Sequence, residues 1–143
     1  MTKVLIIEEQ AKIRKLLVNA FKKEGFETCD GIGWENAIEF AKENIYDLVI
    51  ADMEVKPQVG FEMLKTIKLF NQKAEIVAIF HPKEYDVGCM ISSGVYDYVL
   101  KPFLIKDVLN IGKKALEKKK LADKVRSLEQ IMDMDKMVLQ QKS

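Results

Sequence analysis

Short apolar runs alternate with amphipathic segments along most of the chain. The apolar runs have the length of buried strands and predict strands at 3–7, 26–29, 48–51, 76–80 and 96–100. Between them, apolar residues recur every three or four positions, which predicts helices at 10–23, 34–43, 61–70 and 85–92 and from residue 105 onward. The segments at 30–33 and 54–59, rich in turn residues, are interpreted as a turn and a loop.

Five strand–helix units predict an α/β fold in which helices cover both faces of a parallel sheet. We expect a five-stranded, doubly wound, flavodoxin-like sheet with strand order 2-1-3-4-5 and an extended C-terminal helix. Five strands are too few for a closed eight-stranded barrel. The length of 143 residues suits one domain, which we place at 1–118, followed by a helical extension at 119–143.

The extension carries an incomplete heptad pattern. Lys118 and Asp135 interrupt it, and about two good heptads remain, fewer than a coiled coil usually needs. Two interpretations stay open: a short dimerising or domain-linking helix, and a polar tail ordered only by partner contacts. The apolar residues at heptad spacing are Leu121, Val125, Leu128, Met132 and Leu139.

Charge is distributed unevenly, although the net charge is only +1. Residues 1–103 carry 13 basic and 16 acidic residues, and residues 104–143 carry 10 and 6. Because no aromatic residues are interleaved with the basic ones, a solvated helix face is favoured over a nucleic-acid surface. No stretch approaches the ~20 apolar residues of a membrane span, and no secretory signal pattern is seen. With two cysteines outside any ligand pattern, we expect a cytoplasmic protein.

Charged residues follow three of the predicted strands. Glu8 and Glu9 follow the first strand, Asp52 ends the third, and Lys101 follows the fifth. The carboxyl ends of parallel strands share one edge of a sheet, so three carboxylates and one ammonium would crowd there. Such crowding favours Mg²⁺, with Glu9 and Asp52 as direct ligands and Glu8 acting through water or by its charge.

Asp52 also has the chemistry of a nucleophile that forms an aspartyl phosphate. Lys101 would then supply a second positive charge to the transferring phosphoryl group. Taken singly, these residues have simpler interpretations as turn, helix-capping or surface residues. Their joint position on one predicted edge favours cation and phosphoryl chemistry.

Several segments, in this order and spacing, resemble the receiver domain of bacterial two-component response regulators. They are VLIIEE at 4–9, DLVIAD at 47–52, GFE at 60–62 and GVYDYVLKPF at 94–103. The resemblance covers residues 1–118 and implies phosphoryl transfer to Asp52 from the phosphohistidine of a sensor histidine kinase. It also implies Mg²⁺ held by Glu9, Asp52 and the backbone carbonyl of Glu54, and an aromatic switch residue at Tyr98.

The resemblance implies partners as well. The chain would catalyse only its own phosphorylation and dephosphorylation, so it would not be an enzyme in the usual sense. Its long last helix is similar to the linker of receivers from enhancer-binding transcription activators, which implies an output domain beyond Ser143. A homodimer through the face of the fourth and fifth helices, or through the C-terminal helix, is also implied, with no membrane or direct nucleic-acid contact by this domain.

The chain departs from the family pattern at three places. The acidic pair Glu8-Glu9 lacks the usual Asp, and Pro57 stands one place later than usual. The fourth strand of the family ends in a Thr or Ser whose hydroxyl meets the phosphoryl group, whereas Phe80 stands here, followed by His81. Either His81 donates the hydrogen bond instead, or the switch is decoupled from phosphorylation. For Tyr98, a plain core aromatic residue is the alternative to a switch residue.

Two other functions stay open. A pseudo-receiver would keep the fold as a protein-interaction module without phosphorylation, as Phe80 and the double glutamate suggest. A phosphatase with Asp52 as nucleophile is disfavoured because no Asp-x-Asp pair begins at Asp52; the next acid is Glu54.

Overall fold

A computed structural model describes residues 1–55 and 59–142; Pro57, in the predicted 54–59 loop, and Ser143 lie outside the described residues. The strands are β1 Lys3–Ile7, β2 Glu27–Gly31, β3 Leu48–Asp52, β4 Glu75–Phe80 and β5 Asp97–Leu100. The helices are α1 Ala11–Lys23, α2 Trp34–Glu43, α3 Gly60–Phe70, α4 Val87–Ser92 and α5 Ile105–Lys142. A single 3-10 turn, Met53–Val55, follows β3.

The strands form one parallel sheet in the order β2-β1-β3-β4-β5. This confirms the predicted fold class, strand order and long C-terminal helix. The central strands β1 and β3 are buried almost throughout, as expected for strands covered on both faces. Because neighbouring strands are parallel, the carboxyl ends of β1 and β3 lie at one edge of the sheet, together with those of β4 and β5.

Two apolar layers cover the sheet. Helices α2, α3 and α4 pack on one face, where Trp34 and Ile67 are buried. Helices α1 and α5 pack on the other, where Phe21 and Val108 are buried. Gly112 permits the close approach of α5, because a Cβ there would lie 2.9 Å from the Phe21 ring.

Two elements differ from the prediction by two residues at one end, and five others differ by a single residue. The strand predicted at 26–29 lies at Glu27–Gly31, because pairing with β1 continues to Ile7 opposite Gly31, so a turn beginning at Asp30 is wrong. Helix α4 begins at Val87 rather than 85, because the Asp86 carboxylate caps it by accepting a hydrogen bond from the Cys89 N–H at 2.9 Å.

Helix α5 has a packed part and an exposed part. Lys119 ties it to the domain through an ion pair with Asp47 at 3.0 Å and also pairs with Asp123 within the helix. From residue 124 to residue 140 every side chain is exposed. Within 1–55 and 59–142, no helix is apolar over a length that would cross a membrane.

Candidate functional site

The carboxyl ends of β1, β3 and β5 bring Glu8, Asp52 and Lys101 together. Asp52 is the last residue of β3, and Lys101 follows β5 across the intervening β4. The Lys101 Nζ lies 3.0 Å from Asp52 Oδ1 and 3.1 Å from Asp52 Oδ2. The Lys101 N–H donates to the Phe80 carbonyl at 2.9 Å, which fixes the Lys101 backbone at this edge. The Lys101–Pro102 peptide is cis.

Glu8 and Asp52 form a buried acidic pair. They are only 2% and 4% exposed. Glu8 Oε1 accepts from the Gln10 N–H, whereas Oε2 is buried without a hydrogen-bond partner among the described residues. Burial, and then the neighbouring Asp52, raises the pKa of Glu8 to about 8. An orphaned carboxylate oxygen beside a second buried carboxylate has the donor chemistry of a divalent-cation site.

Glu9 lies differently from Glu8. It is exposed, and its backbone carbonyl, like that of Glu8, accepts from the Arg14 guanidinium, at 3.1 Å and 2.8 Å respectively. In the described part of the chain, no group of three or more His, Cys, Asp or Glu residues is arranged to hold a metal ion. The structure thus brings Glu8 to Asp52, and direct ligation by Glu9 stays a prediction.

The Glu54 side chain contacts Lys101 and His81, which the sequence does not predict. Its Oε2 lies 2.6 Å from Lys101 Nζ, and its Oε1 accepts from the His81 backbone N–H at 3.2 Å. The Glu54 N–H itself donates to Asp52 Oδ1 at 3.0 Å. The sequence does signal an acid two residues after Asp52, on the same edge as Lys101, but the family resemblance implies a role only for its backbone carbonyl.

Phe80 ends β4 as a fully buried aromatic residue. Its ring centroid lies 6.0 Å from that of Tyr85 and 5.6 Å from that of Tyr98. The His81 imidazole accepts from the Lys83 N–H at 3.1 Å, within its own loop, so the described contact that His81 makes at the site comes from its backbone amide. Tyr98 is half-buried and packs on the α2–α4 layer.

Tyr85 links the loop after β3 to the segment before α4. Its hydroxyl donates to the Met53 carbonyl at 3.1 Å in a buried bond. Burial, and then the negative charges of Glu54 and Asp52, raises the pKa of Tyr85. Gly60 is needed beside it, because a Cβ there would collide with the Tyr85 hydroxyl. The sequence carries no local signal for this contact.

Comparison with known proteins agrees with the geometry. Residues 4–113 match the family model described as response regulator receiver domain. The chain is 31% identical over 118 residues to Sporulation initiation phosphotransferase F of Bacillus subtilis (strain 168), covering 80% of this chain and 93% of that protein. It is 24% identical over 131 residues to Regulatory protein AtoC of Escherichia coli (strain K12), covering 91% of this chain but 28% of AtoC.

Solved structures show the same relationship. NtrX from Brucella abortus superposes with a TM-score of 0.79 at 26% identity, over 90% of this chain and 30% of that chain. A receiver domain protein from Clostridium thermocellum, 22% identical, shares the fold with a TM-score of 0.75, over 85% of this chain and 99% of that chain. Fold, site and sequence agree: the chain belongs to the response regulator receiver domain family of two-component systems.

Proposed function

We propose that this receiver domain accepts a phosphoryl group on Asp52 from the phosphohistidine of a sensor histidine kinase. The observation that supports this most directly is the Asp52 carboxylate, buried at the end of β3 beside Glu8 with Lys101 Nζ at 3.0 Å. Response regulators take their phosphoryl groups from histidine kinases, so family membership supports the donor class. Reaction chemistry on the chain would be limited to its own phosphorylation and dephosphorylation.

In the proposed transfer, an Asp52 carboxylate oxygen attacks phosphorus. A P–O bond forms as the P–N bond of the donor breaks, and the released imidazole nitrogen keeps the electron pair and takes up a proton. Lys101 neutralises charge that develops on the phosphoryl oxygens. Dephosphorylation is the attack of water on the same phosphorus, which returns the Asp52 carboxylate and inorganic phosphate.

A divalent cation fits this site. Glu8 Oε2 is buried without a partner among the described residues, and it stands beside Asp52. Asp52, the Glu8-Glu9 pair and the Glu54 carbonyl would hold Mg²⁺, with Glu8 the best placed of the acidic pair. When bound, Mg²⁺ would offset the negative charge that the carboxylates and the phosphoryl group bring together.

Labelling by acetyl phosphate tests the proposal. With Mg²⁺ present, the wild-type chain should gain one phosphoryl group by mass, and chelation should stop the gain. Asp52→Asn should remove it completely, whereas Asp30→Asn, a change at an exposed aspartate of β2, should not. A wild-type chain that stays unlabelled under conditions that label the Clostridium thermocellum relative would overturn the proposal.

The second candidate is a phosphorylation-independent pseudo-receiver. It is favoured by the fully buried Phe80 at the end of β4, where a hydroxyl would be expected to meet the phosphoryl group. Beryllofluoride with Mg²⁺, a mimic of the aspartyl phosphate, separates the two. Amide NMR shifts that spread from Asp52 to Tyr98 support a working switch with Phe80, His81 and Tyr98 in its path. Amide shifts that do not change when beryllofluoride and Mg²⁺ are added support the pseudo-receiver.

A cleft beside Lys101 supports a docking place for the kinase. It has a volume of about 520 Å³ and lies between α1 and the segment that joins β5 to α5. Ile13, Leu16 and Phe103 give it an apolar lining. An apolar cleft next to the acceptor would let a phosphohistidine-bearing helix pack close to Asp52. Leu16→Lys should slow phosphorylation by a kinase but leave labelling by acetyl phosphate unchanged.

We further propose that residues 1–118 form the receiver unit and 119–143 a helical extension that dimerises. Exposed Leu121, Val125 and Leu128, with Met132 and Leu139 beyond them, support the extension as an interface, and the α4–α5 face is the alternative. Sedimentation of Leu128→Lys should give a monomer in the first case and an unchanged dimer in the second. A wild-type monomer in both the free and the beryllofluoride-bound forms would exclude both.

The chain spans 28% of AtoC and 30% of the NtrX chain, which supports an output domain C-terminal to it in a longer protein.

The two free cysteines of the chain, Cys29 and Cys89, support a reducing, cytoplasmic setting. The basic residues of α5 that pair with Asp47, Glu75 and Glu24 support a structural role for that charge rather than contact with nucleic acid.

A further inference from the structure

We infer that the Glu54 carboxylate competes with the incoming phosphoryl group for the Lys101 ammonium and for the His81 backbone N–H. The inference rests on the proposed function, since it concerns the group that Asp52 would receive. It makes Glu54 a built-in restraint on phosphorylation: the side chain must leave before the phosphoryl oxygens can be bound.

The contacts of Glu54 carry this inference. One carboxylate oxygen pairs with Lys101 Nζ at 2.6 Å, closer than the 3.0 Å contact of Asp52 with the same ammonium. The other oxygen accepts from the His81 N–H at 3.2 Å. The Glu54 side chain is only 18% exposed and that of Lys101 26%, so water screens the pair weakly. A carboxylate held by an ammonium and an amide is bound as a phosphoryl oxygen would be.

The backbone fixes where this competition takes place. The Glu54 N–H donates to Asp52 Oδ1, so the Glu54 backbone stays beside the acceptor even if the side chain gives up its contacts with Lys101 and His81. A phosphoryl group on Asp52 would bring further negative charge next to Glu54 and would need both Lys101 and an N–H donor. Charge repulsion and the loss of hydrogen-bond donors both oppose binding of the two anions together. The Glu54 carboxylate and the phosphoryl group therefore exclude each other at Lys101.

Removing the carboxylate should therefore speed phosphorylation. We expect Glu54→Ala to label with acetyl phosphate about tenfold faster than wild type at limiting donor, the effect of freeing one charge-assisted contact. In the presence of Mg²⁺, the beryllofluoride concentration that half-saturates the protein should fall by a similar factor. Glu54→Gln, which keeps the shape but loses the charge, should show a smaller gain and guards against a folding defect in the alanine variant.

Glu84→Gln is the matched control. Glu84 is an exposed carboxylate in the loop after β4, and its neutralisation changes the net charge by the same amount without touching Lys101. Its labelling rate should stay within twofold of wild type. If Glu84→Gln speeds labelling as much as Glu54→Gln, the effect is one of general charge and the inference is overturned.

The outcomes separate the inference from the proposed function. Faster labelling of both Glu54 variants, with Glu84→Gln unchanged, supports both ideas. Wild type that labels while folded Glu54→Ala and Glu54→Gln label no faster overturns the inference and leaves the proposed function standing. If wild type and all variants neither label nor bind beryllofluoride, the proposed function fails and the inference fails with it.

Discussion

The carboxyl ends of β3 and β4 are adjacent in the sheet, yet they end in opposite chemistries. β3 ends in Asp52, a carboxylate that pairs with Lys101 and stands beside buried Glu8. β4 ends in Phe80, an aromatic ring enclosed by Tyr85 and Tyr98. In the register of the sheet, Asp52 lies opposite Ile79, one residue before Phe80. An ionic end and an apolar end thus lie side by side.

The two ends contribute to the free energy of folding with opposite signs. At the end of β3, Asp52 and Glu8 are both buried, Lys101 pairs with Asp52, and Glu8 Oε2 has no partner among the described residues, which opposes folding unless a cation binds. At the end of β4, aromatic burial favours folding and leaves no hydroxyl to sense a phosphoryl group. Acceptance of a phosphoryl group would depend on the β3 end. Transmission of a signal away from the site would depend on the β4 end.

The largest effect should come from placing a hydroxyl at the β4 end. Phe80→Thr removes a fully buried ring, so the free energy of unfolding should fall by about 3–5 kcal/mol, the range for loss of a buried phenylalanine. Urea denaturation measures it. Phe70→Thr, a change at a phenylalanine 46% exposed on α3, is the control and should cost much less. Equal stability of Phe80→Thr and wild type would contradict a packing role for this end.

The β3 end should respond in the opposite direction to Glu8→Gln. With Mg²⁺ absent, this change should stabilise the fold by about 1–3 kcal/mol at pH 8, because a buried charge is removed. The sign follows from a pKa raised from 4.5 to about 8: between these pH values the native state holds a proton that the unfolded chain has lost. Wild-type stability therefore falls as pH rises through this window, and the gain of the variant disappears near pH 4.

Glu9→Gln is the control for the acidic pair, because Glu9 is exposed and its neutralisation should change stability little without Mg²⁺. Thermal unfolding from pH 4 to 9 measures both variants. Added Mg²⁺ should stabilise wild type more at pH 8 than at pH 5, since the cation requires ionised Glu8. If Glu9→Gln stabilised as much as Glu8→Gln, the burial assigned to Glu8 would be contradicted.

The two ends also differ in how far the sequence predicts them. The apolar pattern predicts β1 and α2 with their observed bounds, and the order of the charged residues predicts that Asp52 and Lys101 meet. These follow from local periodicity and from one rule about parallel sheets. The last residues of β2 depend on pairing with β1, and the contacts of Glu54 depend on side-chain direction, which spacing alone does not give.

The smallest effect tests the hydrogen bond between Tyr85 and Met53, which joins the turn after β3 to the segment after β4. Tyr85→Phe keeps the ring against Phe80 but removes the hydroxyl that donates to the Met53 carbonyl, so unfolding should become easier by about 1–2 kcal/mol. Tyr96→Phe is the control, because its half-buried ring faces Lys118 instead. In the Tyr85 variant, beryllofluoride should still bind at Asp52, but amide shifts should spread less far toward α4. An undiminished spread would mean that the two ends communicate by another path than Tyr85.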